Sequence, residues 1–142
     1  MPVRRASAQW NGGIKDGKGI MKLGSGAFEG NYSFGTRFED APGTNPEELI
    51  GAAHAGCFSM ALSLFLENAG HKPESIQTTA EVSIESSGDG FAITKIALAT
   101  EAKVPGIDEK TFQEQANAAK EKCPVSQALA GTEITLKAAL IG

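Results

Sequence analysis

Two cysteines, Cys57 and Cys123, make up the whole thiol content of this chain and stand 66 positions apart. Cys57 lies in Ala53-His54-Ala55-Gly56-Cys57-Phe58, inside the longest stretch of helical periodicity. Cys123 lies in Glu121-Lys122-Cys123-Pro124-Val125-Ser126, where one helix is expected to stop and another to start. No CxxC motif is present. Two thiols in these contexts suggest a reversible redox pair, provided the fold brings them together. The plainer alternative is two buried, inert cysteines acting as small hydrophobes.

A free thiol has a pKa near ~8.5, so a catalytic cysteine needs a cation, a helix N-terminus or a positive cluster to hold the thiolate at neutral pH. Cys57 is mid-helix, past the reach of the helix dipole. Its cation must come from elsewhere, and two residues qualify: His54, three positions earlier, and Arg37, expected at the end of a strand between Phe34 and Phe38. Spacing alone does not choose between them. Cys123 precedes Pro124 and is expected near the N-cap of a short helix, where backbone N–H groups favour a thiolate on local grounds. A metal site drawn from Cys57, Cys123, His54 and His71 matches no zinc spacing, and only His54 and Cys57 are locally placed to chelate. No G-x-S-x-G elbow is present for serine hydrolysis.

The elements that must position these residues follow from pattern. Residues 3–10 and about 14–24 are expected to be strands, with turn chemistry at Asn11-Gly12-Gly13 or Asp16-Gly17. Tyr32 to Phe38 is expected to be a third strand. Asn45-Pro46-Glu47-Glu48 then opens a helix: an N-cap residue, proline at the first helical position and glutamate at N3, a variant of the capping box. Leu49, Ile50, Ala53, Cys57, Met60, Ala61 and Leu64 continue it at helical spacing, and Gly70 with Pro73 ends it. Ile76 to Ile84 alternates as a half-buried strand. Ser86-Ser87-Gly88-Asp89-Gly90 turns the chain into a returning strand, 91–104, whose apolar phase slips between Ile93 and Ile96 and predicts a bulge. Asp108 caps a helix to about Lys122, Pro124 opens a shorter one to about Ala130, and Glu133 to Leu140 is a final strand. The order βββ-α-ββ-αα-β implies a single α+β domain over 1–142, with antiparallel sheets around a long central helix.

The chain is long enough, at 142 residues, to bury a core. Its net charge of −4 argues against nucleic acid or an anionic membrane as partner. The apolar stretch Leu49–Leu66 is broken by Gly51, His54, Gly56, Ser59 and Ser63, the pattern of a core helix rather than a membrane span. No apolar run follows Met1-Pro2-Val3-Arg4-Arg5, so no secretory signal is expected and the protein is expected in the cytoplasm.

Several segments together resemble the OsmC/Ohr family of osmotically inducible and organic hydroperoxide resistance proteins: Thr36-Arg37-Phe38-Glu39, Gly43 through Leu49, Ala52-Ala53-His54-Ala55, Cys57 through Leu62, and Cys123-Pro124-Val125-Ser126. The likeness runs from about Trp10 to Leu136, and His54 with the T-R-F-E segment brings it nearer the OsmC branch. The resemblance implies a thiol peroxidase that reduces organic hydroperoxides to alcohols, in an intertwined homodimer with two interfacial sites and no bound cofactor. It implies that Cys57 is peroxidatic, that Cys123 resolves it as a disulfide, and that Arg37 and Glu47 pair beside the reactive sulfur. It also implies an external dithiol reductant, typically lipoyl-type or a lipoylated protein. Gly56 fills a position often held by alanine in the family. Ile50, Phe34 and Phe38 would suit an organic peroxide. Glu47 and Cys57 are ten residues apart on one expected helix, about 15 Å along its axis. If both serve one site, Glu47 must come from the partner's helix across a two-fold axis. The rival reading is a non-enzymatic stress or ligand-binding protein that uses the thiols as a redox switch.

Overall fold

The computed structural model describes residues 1–142, and they fall into two units, Met1–Leu49 and Ile50–Gly142. In the first, β1 (Ala6–Asn11), β2 (Lys18–Leu23) and β3 (Glu29–Tyr32) form an antiparallel sheet in sequence order. Both expected turn signals serve one loop between β1 and β2. Gly12 takes φ +100°, a conformation glycine adopts without strain, and the Gly13 amide bonds the Asp16 carboxylate at 3.1 Å. The Gly17 amide closes the loop onto the Gly13 carbonyl at 2.9 Å.

The third strand ends at Tyr32, and the expected strand over 32–38 is corrected there. Phe34–Phe38 is instead a short helix, α1. Ser33 is its N-cap: the Ser33 hydroxyl accepts from the Thr36 amide at 3.2 Å, and the Thr36 hydroxyl accepts from the Ser33 amide at 2.8 Å. This reciprocal box uses Thr where Glu or Gln is usual, so aromatic and β-branched residues that favour a strand are held helical by the cap.

Helix α2 runs from Pro46 to Asn68. Asn45 caps it as expected, its side-chain oxygen accepting from the Glu48 amide at 2.7 Å. The second half of the box is not made. Glu48 turns to the Thr44 hydroxyl, 3.0 Å away, rather than back to the cap. At the other end the His71 amide bonds the Leu66 carbonyl at 2.9 Å and the Gly70 amide bonds Glu67 at 3.0 Å, with Gly70 at φ +91°. That is a Schellman stop.

The second unit holds the core. β4 (Ser75–Ser87) and β5 (Gly90–Lys103) pair antiparallel over their full length, and the register slips at Ser83/Ile84 so that Thr94 faces no partner. The bulge lies where the apolar phase predicted it. α3 (Glu109–Lys122) and α4 (Pro124–Ala128) follow, and β6 (Glu133–Leu140) completes the sheet in the order β4-β5-β6. β6 pairs parallel to β5, so the sheet is mixed rather than wholly antiparallel as expected. Phe58, Leu62 and Leu66 from α2 are fully buried at i, i+4 spacing, with Ile96, Leu98 and Ala102 from alternate positions of β5 and Phe112, Ala116 and Ala119 from α3. Each large side chain in this set contributes about 1.5–3 kcal/mol by leaving water. By length and composition alone α2 could cross a membrane. Its Phe58, Leu62 and Leu66 instead join the protein core.

Candidate active site

Arg37 and Glu47 form an ion pair within the first unit. Arg37 occupies the last turn of α1, not the end of a strand, and Glu47 the first turn of α2. The Arg37 Nε donates to Glu47 Oε1 at 2.9 Å and Nη2 donates to Oε2 at 2.8 Å. This is the planar, two-pronged grip that only arginine offers a carboxylate. Glu47 is 7 % exposed, so its charge is taken out of water and relies on the guanidinium. The Asn45 side-chain amide donates to the Thr36 carbonyl at 3.0 Å and ties the start of α2 to α1, holding the two residues in register. Arg37 also stacks over Phe38, its guanidinium carbon 5.5 Å from the ring centre.

The two thiols both lie in the second unit. Cys57 is partly exposed on α2, while Cys123 is fully buried at the junction of α3 and α4. Both are unbridged, and their side chains are within hydrogen-bonding reach of each other. The structure therefore brings together the two cysteines that lie 66 positions apart in sequence. Cys123 ends α3 and is also the N-cap of α4, with Pro124 at the first helical position and the Ser126 amide donating to its sulfur at 3.4 Å.

The environments of the two sulfurs push their acidities apart. Burial pushes Cys57 up, and the hydrogen bond to Cys123 adds to this more than the Val125 amide offsets. Burial also acts to raise Cys123, but the bonds from Cys57, from the Ser126 amide and hydroxyl and from the Val125 amide together bring it below the ordinary thiol value. The N-cap position thus delivers the thiolate-favouring surroundings expected of it.

His54 does not act as a cation here. It is fully buried on α2, and burial lowers its pKa, which keeps the ring neutral. Its Nε2 stands 2.7 Å from the Ser126 hydroxyl, across 72 residues of sequence. Neither this bond nor the place of Ser126 beside Cys123 was read from the sequence. The signal available was a serine at the third position of the helix that Pro124 opens. No group of three or more His, Cys, Asp or Glu side chains is arranged to hold a metal ion.

A partly exposed thiol over a buried, hydrogen-bonded one suits oxidation followed by disulfide closure, and a bidentate arginine suits an anion or a polar oxygen. Residues 38–138 match the family described as OsmC-like protein. The chain belongs to the OsmC-like family. It is 58 % identical over 134 residues to the peroxiredoxin OsmC of Escherichia coli K12, covering 94 % of this chain and 93 % of that one. It is also 34 % identical over 94 residues to the organic hydroperoxide resistance protein OhrB of Bacillus subtilis, covering 66 % and 67 %. The fold matches the crystal structure of an OsmC-like protein from Mycoplasma pneumoniae with a TM-score of 0.77 at 16 % identity, over 99 % of each chain. Membership of the OsmC/Ohr family supports a peroxidase role in peroxide stress.

Proposed function

We propose that this protein reduces organic hydroperoxides to alcohols through a sulfenic acid on Cys57 and a Cys57–Cys123 disulfide. One observation carries the reading: a solvent-reachable thiol, Cys57, stands within hydrogen-bonding reach of a fully buried thiol, Cys123. The accessible sulfur meets the peroxide and the protected one closes on it.

In this reading Arg37, oriented by Glu47, supplies the cation that holds Cys57 as thiolate and receives the peroxide. Cys57 attacks the distal oxygen, the O–O bond breaks, and the alkoxide leaves and takes up a proton as the alcohol. An external dithiol, of lipoyl type or a lipoylated protein, then reopens the disulfide. Cys57 lies ten residues after Glu47 on α2, a rise of about 15 Å. The Arg37–Glu47 pair is therefore assigned to the Cys57 of a second subunit in a homodimer.

The test is turnover. Reduced protein given an organic hydroperoxide and a dithiol should consume many equivalents, and Cys57→Ser should abolish this with the fold intact. Cys123→Ser should react once and accumulate a trappable sulfenic acid on Cys57. A wild-type protein that oxidised once and stopped, with the dithiol present, would be a redox switch rather than an enzyme. Near-normal consumption by Cys57→Ser would remove Cys57 from the role.

A further inference from the structure

The Ser126 amide donates to the Cys123 sulfur at 3.4 Å, and the other groups that act to favour its thiolate are the Cys57 thiol, the Val125 amide and the Ser126 hydroxyl. Three of these four belong to Cys57 or to the backbone of α4. The fourth is held by a residue on another element, because the Ser126 hydroxyl is also 2.7 Å from His54 Nε2. Ser126 is 4 % exposed and His54 fully buried, so no water competes for these bonds.

The protonation of the His54–Ser126 pair follows from its one unpartnered atom. His54 Nδ1 is buried without a partner. A buried N–H with nothing to receive it costs more than a buried lone pair with nothing to accept. The hydrogen therefore sits on Nε2, which donates to the Ser126 oxygen. That leaves the Ser126 O–H free to point at sulfur. A neutral ring is required, since a second ring proton would add both a charge and an orphan donor in a buried site. The titratable groups facing Cys123 are Cys57 directly and His54 through Ser126, both from α2.

We propose that His54 and Ser126 form a donor chain that holds Cys123 in its attacking form, so that His54 is a positioning residue for disulfide closure. The inference rests on the peroxidase reading above. In the closing step an electron pair on the Cys123 thiolate forms the S–S bond and the S–O bond of the Cys57 sulfenic acid breaks. Its pair leaves as hydroxide, which takes a proton from solvent to become water. Cys123 is oxidised, the Cys57 sulfur is reduced, and no further reagent is needed.

The test separates this chain from the peroxidase reading. In a Cys57→Ser background, which keeps a hydroxyl donor beside Cys123, the rate of alkylation of Cys123 is followed against pH. Ser126→Ala and His54→Leu should each lower reactivity at neutral pH about tenfold by moving the profile up about one unit. His54→Gln, whose side-chain amide can donate in place of Nε2, should restore it. In protein that retains Cys57, one equivalent of organic hydroperoxide should give disulfide closure slowed about tenfold near pH 6–7 by Ser126→Ala. The defect should vanish above about pH 10, where any thiol ionises. An alkylation profile unmoved by both Ser126→Ala and His54→Gln, with no slowing of closure in Ser126→Ala, would overturn the proposal. So would a closure defect of the same size at every pH, which marks loss of structure alone. If wild-type protein formed no sulfenic acid on Cys57, the peroxidase reading would fail, while the alkylation profile would still decide the donor chain.

Discussion

At the scale of single residues, the proposed chemistry divides between two charged groups and two thiols whose requirements differ. A serine in place of Cys57 is nearly isosteric, yet its hydroxyl is far too weak an acid to supply the nucleophile. Arg37 is the more discriminating position. Arg37→Lys retains the charge and loses the fork that takes both Glu47 oxygens, at 2.9 and 2.8 Å. A large loss of hydroperoxide turnover is expected from Arg37→Lys, and a raised Cys57 pKa from Arg37→Ala, measured by thiolate absorbance. Arg37→Ala also leaves Glu47 buried without its partner, at a cost of up to about 3 kcal/mol, so its thermal stability is measured alongside. Glu47→Gln should cost less activity than either, since the amide still orients the guanidinium. Unchanged turnover and thiol titration in Arg37→Ala would reduce Arg37 to a structural ion pair.

At the scale of elements, caps decide most boundaries, and caps are what a sequence displays best. Asn45-Pro46 and Gly70 bracket α2 within a residue or two of its expected ends, and the slipped phase between Ile93 and Ile96 locates the bulge at Thr94. Two features were not legible. Tyr32 through Phe38 has strand composition, and only the Ser33–Thr36 box, in an uncommon form, makes α1 helical. The direction of β6 relative to β5 leaves no mark in the alternation of either strand, because alternation reports burial and not pairing sense. The site divides in the same way. Cys57, Cys123, Arg37 and Glu47 stood out by type and by family likeness, whereas the His54–Ser126 bond joins residues that only the packing of α4 against α2 brings together. Asp108 offers a test of capping. Its carboxylate accepts from the Thr111 amide at 3.0 Å, and the side-chain and amide bonds of Thr111 lower its pKa. A lowered folded-state pKa adds stability above the unfolded value, near ~3.9, that is lost as pH falls through the folded value. Asp108→Ala should therefore lower the melting temperature at pH 7, and the difference from wild type should shrink once the pH is below about 4. A difference as large at about pH 2 as at pH 7 would show that the charge of the cap contributes nothing.

At the scale of the whole molecule, apolar surface is left over. Every fully buried large apolar side chain belongs to Ile50–Gly142, while Val3, Ile14, Ile20, Leu23 and Phe28 of the first unit are exposed. Helix α2 is apolar nearly all round, yet only 28 % of its most apolar stretch is buried, and Met60 and Leu64 are 79 % and 54 % exposed. A helix with that composition is stable in water only when both faces are covered. In the proposed homodimer a second copy of the chain would supply the cover by two-fold symmetry, each α2 meeting its counterpart. The same pairing would bring the Glu47 of one subunit to the Cys57 of the other. Met60→Glu places a charge on this face without touching the Phe58–Leu62–Leu66 core. Wild-type protein should sediment as a dimer at micromolar concentration, Met60→Glu should shift toward monomer, and turnover should fall in proportion to the dimer lost. If each site is shared, diluting the variant should lower the rate per subunit, and raising its concentration should restore it. A monomeric Met60→Glu protein with full turnover at every concentration would mean that one subunit holds a complete site, and Glu47 would then lose its place beside Cys57.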